Sequence, residues 1–78
     1  MFFQRKLTPT DVENFRKEGD LRGLLRALQS KEAPAHLAAF QELSRIATAP
    51  VKEVAALATH RDKSIRYRAV RLLGEMED

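Results

Sequence analysis

Apolar residues recur every three or four positions in five separate stretches of this chain, bounded by glycine, proline or short polar segments. This spacing is that of a helix with one buried face. No stretch shows the strict alternation of apolar and polar residues that is typical of a half-buried strand. The pattern therefore predicts an all-α fold with five helices, over residues 7–19, 21–29, 33–47, 50–58 and 62–76.

The first predicted helix carries complete start and stop signals. Thr8 is the expected N-cap, Pro9 occupies the first helical position, and Asp11 places an acid in the first turn. Gly19 is expected to end the helix, because glycine accepts a left-handed backbone without steric cost.

Caps and helix breakers mark the other predicted helices. Asp20 and Asp62 are expected to accept backbone N–H groups at the starts of the second and fifth helices. Pro34 lies in the first turn of the third helix and Pro50 at the start of the fourth, where proline is tolerated. Gly23 weakens the second helix by about 1 kcal/mol relative to alanine, and we expect it to allow close approach of the first helix.

Each predicted helix has a set of apolar residues expected to face the core. The spacing within each set matches one face of a helix. In chain order the sets are Val12 and Phe15; Leu21, Leu24, Leu25 and Leu28; Ala35, Ala39, Phe40, Leu43 and Ile46; Val51, Val54, Ala55 and Ala58; and Ile65, Ala69, Leu72, Leu73 and Met76.

Helices two and three together resemble helices four and five when the chain is shifted by thirty positions. The aligned pairs are Leu21 with Val51, Leu24 with Val54, Glu32 with Asp62, Ala39 with Ala69, Phe40 with Val70, Leu43 with Leu73, and Ile46 with Met76. Matched chemistry at such a period is typical of helical hairpins that stack side by side and share a continuous core.

The segment Asp62-Lys63-Ser64-Ile65-Arg66, followed by Ala69-Val70 and Leu72-Leu73-Gly74-Glu75-Met76, resembles the second helix of a HEAT repeat of the short bacterial and archaeal type. Residues 11–28 are similar to the way many such proteins begin, so the resemblance covers roughly residues 11–76. It implies one domain over residues 1–78, a short right-handed α-solenoid with a capping helix over 7–19, one repeat over 20–47 and a second over 48–78. The family pattern has an arginine at the position that His36 occupies in the first repeat and Arg66 in the second. This difference affects the expected polar contact between repeats at that position and not the fold.

The resemblance implies an adaptor or scaffold function, because members of the family mostly bind proteins, some bind nucleic acid and a few help to load chromophores. The chromophore function would rest on family analogy alone.

A candidate binding surface follows from the way stacked repeats expose their second helices on an inner, often concave face. Leu37 and Tyr67 are expected to make this groove apolar, with basic side chains around them. An aromatic anchor among guanidinium groups suits an acidic-hydrophobic peptide; the alternative is a solvated basic face with a half-buried tyrosine. The candidate partner-binding residues are Leu37, Gln41, Arg45, Lys63, Tyr67, Arg68 and Arg71.

Basic residues are dense at the start of the last helix. They are Arg61, Lys63, Arg66, Arg68 and Arg71. Such a cluster is typical of a surface that follows phosphates. Asp62 can pair with Arg66, and Glu75 with Arg71, which leaves about three free charges. The net charge of +3 permits nucleic-acid binding without requiring it, so weak nucleic-acid binding is the alternative to protein binding.

The two ends of the helical array expose apolar residues. Val70 and Leu73 face the position that a following hairpin would occupy, while the sequence closes on Glu77 and Asp78 without a polar capping helix. Three alternatives are expected for such an edge: the helix end frays, further chain covers it, or two copies pair across it as a two-fold homodimer. Two-fold pairing is the commonest way to bury such a surface. At the other end, the pair at positions 2 and 3, Phe2 and Phe3, is expected to fold back over the first two helices, with insertion into a partner or membrane surface as the alternative.

Composition narrows the remaining function classes. The chain has no cysteine, which excludes disulfides, zinc thiolate sites and thiol catalysis and is compatible with the cytoplasm, the location we expect. His36 and His60 have no acid or nucleophile at a catalytic spacing, so no enzyme activity, metal site or cofactor is expected. No signal-peptide pattern and no apolar run of about 18 residues is present, so we expect no membrane partner.

Overall fold

The computed structural model describes residues 6–46 and 50–76. Within these two ranges the chain forms helices and no strand, which confirms the all-α prediction. The helices are α1 (Pro9–Glu18), α2 (Leu21–Leu28), α3 (Ala33–Arg45), α4 (Val51–Leu57) and α5 (Lys63–Met76). The predictions made for Phe2, Phe3, Glu77 and Asp78 lie outside the described residues.

The predicted caps of α1 are confirmed. The Thr8 hydroxyl accepts a hydrogen bond from the Asp11 amide at 3.3 Å, and the Asp11 carboxylate accepts one from the Thr8 amide at 2.9 Å. This reciprocal pair is a capping box. At the other end Gly19 adopts the left-handed backbone with φ of 69°, and its amide donates to the carbonyl of Arg16 at 3.1 Å.

The aspartate caps are also confirmed. The Asp20 carboxylate accepts from the Gly23 amide at 2.9 Å, and the Asp62 carboxylate accepts from the Ser64 amide at 2.8 Å. Gly23 does permit close approach of α1, because a Cβ atom there would lie 2.6 Å from the Phe15 ring. These local signals fix where α2 and α5 begin and how tightly α1 packs on α2.

One apolar core joins the helices. α2 packs against α3, α4 against α5, and α1 against both α2 and α3, while α3 packs against α5 and so joins the two helical pairs. The fully buried side chains come from every helix: Val12, Leu24, Ala27, Leu28, Ala35, Ala39, Leu43, Val54, Ala69 and Leu72. Because α3 and α5 lie side by side, their exposed faces form a shared surface.

The predicted core face is confirmed for α5 and wrong in part for α4. Ile65, Ala69 and Leu72 are buried. In α4 only Val54 is buried, whereas Val51 is 53% exposed and Ala55 is also exposed. The reason is that α4 has seven residues and packs mainly against α5. It therefore buries a narrower face than the spacing of its apolar residues predicts.

The third helix is shorter than predicted. α3 ends at Arg45, and the backbone of Ile46 is extended with ψ of 124°. Position 47, where the sequence placed the end of this helix, lies outside the described residues. Across both described ranges, no helix combines the length and the apolar character needed to cross a lipid bilayer.

Candidate binding groove

A groove of about 740 Å³ lies where the exposed faces of α3 and α5 meet. Its volume is within the range of known ligand sites. We call it the α3–α5 groove. Its walls are His36, Leu37 and Phe40 from α3 and Lys63, Ser64, Tyr67, Arg68 and Arg71 from α5.

Apolar side chains form the centre of the α3–α5 groove. Leu37 is 59% exposed and Tyr67 is 62% exposed. Phe40, one turn beyond Leu37 on the same helix face, is half-buried and packs on the core. Large apolar side chains from two different helices therefore face water within a single concave surface, which is typical of an interaction site.

The outer rim of the groove carries basic side chains, and Tyr67 holds one of them, Arg71, in place. The Arg71 guanidinium donates a hydrogen bond to the Tyr67 hydroxyl at 3.2 Å, and its central carbon lies 5.7 Å from the centroid of the tyrosine ring. The hydrogen bond and charge attraction to Tyr67 raise the pKa of Arg71. Lys63 lies one turn before Tyr67 on the same row of α5 and is exposed. None of the described residues that line the groove is acidic, so the field of this lining favours an anion.

The sequence predicts Arg68 among the free basic side chains around the groove. In the structure it lies instead at the base of the groove. Its guanidinium donates to the backbone carbonyl of Leu28 at 2.8 Å and to that of Ser30 at 3.1 Å. These carbonyls lie at the C-terminal end of α2, where a positive charge is favourable. Burial lowers the pKa of Arg68 and the charge of Asp62 partly offsets this, but a guanidinium stays protonated in any case.

His36 lies beside Arg68 in the groove wall. Burial, and secondarily the positive charge of Arg68, lower the pKa of His36. Since the ordinary value is about 6.5, His36 is mostly neutral at pH 7. The positive charge of the groove at neutral pH therefore comes from Lys63, Arg68 and Arg71.

The structure brings together most of the candidate residues. Leu37, Lys63, Tyr67, Arg68 and Arg71 line the groove, whereas Gln41 and Arg45 are exposed further along α3 and lie outside its walls. Sequence reasoning missed three wall residues. They are His36, Phe40 and Ser64. Phe40 lies three positions after Leu37, and Ser64 lies three positions before Tyr67. Residues three apart share a helix face, so this spacing could have identified both as wall residues.

The basic cluster of the last hairpin is less available than its sequence indicates. Arg66 donates to the carbonyls of His60 at 2.9 Å and Arg61 at 3.1 Å, both in the loop before α5. Among the described residues it does not form the predicted ion pair with Asp62. Arg68 is likewise held by carbonyls. Arg61, Lys63 and Arg71 are left exposed.

The predicted self-association residues differ in their surroundings. Val70 is 58% exposed, whereas Leu73 is half-buried and packs on the core. The apolar edge of α5 is therefore formed chiefly by Val70. Within residues 6–46 and 50–76, no cluster of three or more histidine, aspartate or glutamate side chains is arranged to hold a metal ion.

Comparison with models of known protein families, with curated proteins and with solved structures finds no match to this chain.

Proposed function

We propose that this chain is a non-catalytic protein-binding module that holds an acidic-hydrophobic peptide segment in the α3–α5 groove. The observation that supports this most strongly is the exposure of Leu37 and Tyr67 on neighbouring helices, within a groove where every charged lining residue that the structure describes is basic. A partner side chain between them removes apolar surface from water on both sides. Its flanking carboxylates meet the cations of the rim.

The groove is built to bind at low entropic cost. Arg71 is already hydrogen-bonded to Tyr67, so fewer side-chain rotamers are lost when a ligand arrives. Phe40 packs on the core and provides a fixed floor. We expect a leucine, phenylalanine or tryptophan of the partner to lie on Phe40, with acidic residues directed at Lys63 and Arg71 through charge-assisted hydrogen bonds.

We further propose that the fold is a short HEAT-like α-solenoid, with α1 as the capping helix and the pairs α2–α3 and α4–α5 as two stacked hairpins. Three features support this arrangement: the thirty-residue repeat of the sequence, the packing of α3 against α5, and the bonds from Arg68 to the end of α2. Stacking of this kind puts the second helices on a common surface. A cytoplasmic location suits a chain without cysteine.

Fluorescence anisotropy with a labelled peptide of sequence Glu-Glu-Leu-Trp-Glu-Glu tests the binding function. We expect saturable binding whose affinity falls as the salt concentration rises. The double variant Y67A/R71A, which removes an aromatic and an arginine from the groove centre, should bind the peptide about tenfold more weakly or worse. The matched control, V51A/R22A, removes an exposed apolar residue and an exposed arginine elsewhere and should bind as the wild type does. Equal affinity of the wild type and Y67A/R71A would contradict the proposal, as would preference for the peptide Lys-Lys-Leu-Trp-Lys-Lys.

The alternative function is weak nucleic-acid binding through the exposed cations Arg61, Lys63 and Arg71. Three phosphate contacts predict a shallow salt dependence and low affinity. Titration with duplex DNA and with single-stranded RNA at two salt concentrations tests this alternative. Binding of either one more tightly than the acidic peptide would favour it.

Self-association is a second proposal, and it rests on the exposed edge at Val70. A two-fold pairing of α5 edges would cover this side chain on both copies. Leu73 contributes less, because it already packs on the core of its own chain.

A further inference from the structure

A second concave surface is formed by the turn between α2 and α3, the end of α2 and the segment before α1. Its volume is about 760 Å³, close to that of the α3–α5 groove. We call it the basic concavity. It is lined by Lys6, Leu7, Arg26, Gln29, Ser30, Lys31 and Glu32.

The charges of the basic concavity favour an anion. Among the described residues, Lys6, Arg26 and Lys31 line it together with one acid, Glu32. None of these three cations forms an ion pair within residues 6–46 and 50–76. Uncompensated cations that share a concave surface raise the local positive potential.

The end of α2 does not cancel this attraction. The free carbonyls at a helix C-terminus normally repel anions. Here the side-chain amide of Gln29 donates to the carbonyl of Leu25 at 3.1 Å, and Arg68 donates to the carbonyls of Leu28 and Ser30. A cation therefore already compensates the negative end of the helix.

Arg68 also places the two concave surfaces next to each other. It lines the α3–α5 groove, and its guanidinium contacts Ser30, a residue of the turn that lines the basic concavity. The turn is itself ordered, since the Ser30 hydroxyl accepts from the Glu32 amide at 3.0 Å. Arg68 and Ser30 therefore join the lining of the groove to the lining of the basic concavity.

We propose that the α3–α5 groove and the basic concavity form one bipartite site for an extended acidic peptide. An apolar anchor of the peptide lies in the groove, and a following or preceding run of aspartate and glutamate crosses the turn at residues 30–32 and lies against Lys6, Arg26 and Lys31. This inference rests on the proposed function of the groove and adds a second recognition element, which selects partners with a long acidic tail over those with an isolated acidic-hydrophobic motif.

The lining of the basic concavity favours carboxylates over a nucleic-acid strand. Single-stranded nucleic acid is held by aromatic side chains on which bases stack, in addition to cations. Among the residues that the structure describes, none that lines the basic concavity is aromatic. Its cations are spread around a turn and separated by Leu7 and Glu32, which suits several short acidic side chains better than a continuous phosphate backbone.

The test compares the peptide Glu-Glu-Leu-Trp-Glu-Glu with two longer forms, which carry a Gly-Gly spacer and a Glu-Asp-Glu-Asp tail at one end or the other. We expect one of the longer forms to bind about tenfold more tightly than the short peptide, the sum of a few exposed ion pairs. The gain should disappear in R26E/K31E, while the affinity of the short peptide in that variant stays within about twofold. The matched control R22E/K52E, with the same change in charge at exposed sites outside both surfaces, should keep most of the gain.

Each outcome has a distinct meaning. Groove-dependent binding of the short peptide with no gain from either tail overturns the bipartite site and leaves the proposed function standing. A gain of equal size in R26E/K31E also overturns the bipartite site. Failure of all three peptides to bind overturns the proposed function together with this inference. An oligo-thymidylate strand that binds more tightly than the longer peptides, and loses this affinity in R26E/K31E, would assign the basic concavity to nucleic acid and overturn the proposal.

Discussion

Arg68 on α5 donates a hydrogen bond of 2.8 Å to the carbonyl oxygen of Leu28, forty positions earlier at the end of α2. A second bond from the same guanidinium nitrogen reaches the carbonyl of Ser30. These bonds fasten the second helical pair to the first at the base of the α3–α5 groove. Arg68 therefore combines a structural role with the electrostatic role that its position in the groove gives it.

The substitution R68M should lower the free energy of unfolding by about 1–2 kcal/mol, because two backbone carbonyls lose a charged donor while the apolar stem is largely kept. Urea denaturation monitored by circular dichroism measures the change. The control R71M removes an exposed arginine one turn further along α5 and should change stability by no more than about 0.5 kcal/mol. Equal losses in the two variants would show that the bonds from Arg68 add little.

The two helical glycines should respond to alanine in opposite directions. G23A should destabilise the chain by about 1 kcal/mol, because the new Cβ would lie 2.6 Å from the Phe15 ring and the steric cost exceeds the gain in helix propensity. G74A should stabilise by about 0.5 kcal/mol, since nothing lies within 4 Å of its Cβ position. Thermal unfolding of the two variants beside the wild type provides the measurement. A stabilised G23A would mean that α1 is free to move away from α2.

Stability should fall as the pH is lowered through the range in which His36 titrates. The native pKa of His36 is lowered by burial and by Arg68, whereas in the unfolded chain the pKa is about 6.5. Below pH 6.5 the unfolded chain therefore binds the proton more readily, and stability decreases until the pH passes the native pKa. In H36Q this component should be missing, so the difference in urea midpoint between wild type and H36Q should change between pH 8 and pH 5. A constant difference over that range would show that the environment of His36 does not disfavour its charged form.

Self-association should depend on the exposed edge of α5. If two copies pair there, sedimentation equilibrium of the wild type will show an apparent mass that rises with concentration, and V70E will remain a monomer because pairing would bury two like charges. L37E changes an equally exposed side chain within the α3–α5 groove and should associate as the wild type does. A wild type that stays monomeric at all concentrations would rule out the pairing.

The sequence predicts those features of the fold that depend on near neighbours. The caps at Thr8, Gly19 and Asp20 follow from interactions within four residues, and the structure confirms each of them. The close approach at Gly23 was also expected, since only glycine leaves room for a neighbouring helix at that position.

Features that depend on which helices meet were harder to predict. Val51 and Ala55 have the spacing of buried residues, but they are exposed because α4 packs mainly against one neighbour. The destination of Arg68 depends on a contact across forty positions, and no local pattern encodes it. Phe40 was expected to lie in the core, and its second role as a wall of the groove becomes visible only once α3 and α5 are placed side by side.

Amide chemical-shift mapping tests most directly whether the α3–α5 groove is the binding surface. The ¹⁵N-labelled chain is titrated with the peptide Glu-Glu-Leu-Trp-Glu-Glu, and amide shifts are followed by two-dimensional ¹H–¹⁵N spectra. We predict that the largest shifts fall on residues 36–40 of α3 and 63–71 of α5, with those of α1 and α4 nearly unchanged. Shifts concentrated on α1 or α4, with the amides of Leu37 and Tyr67 unmoved at saturation, would contradict the assignment of the groove as the binding surface.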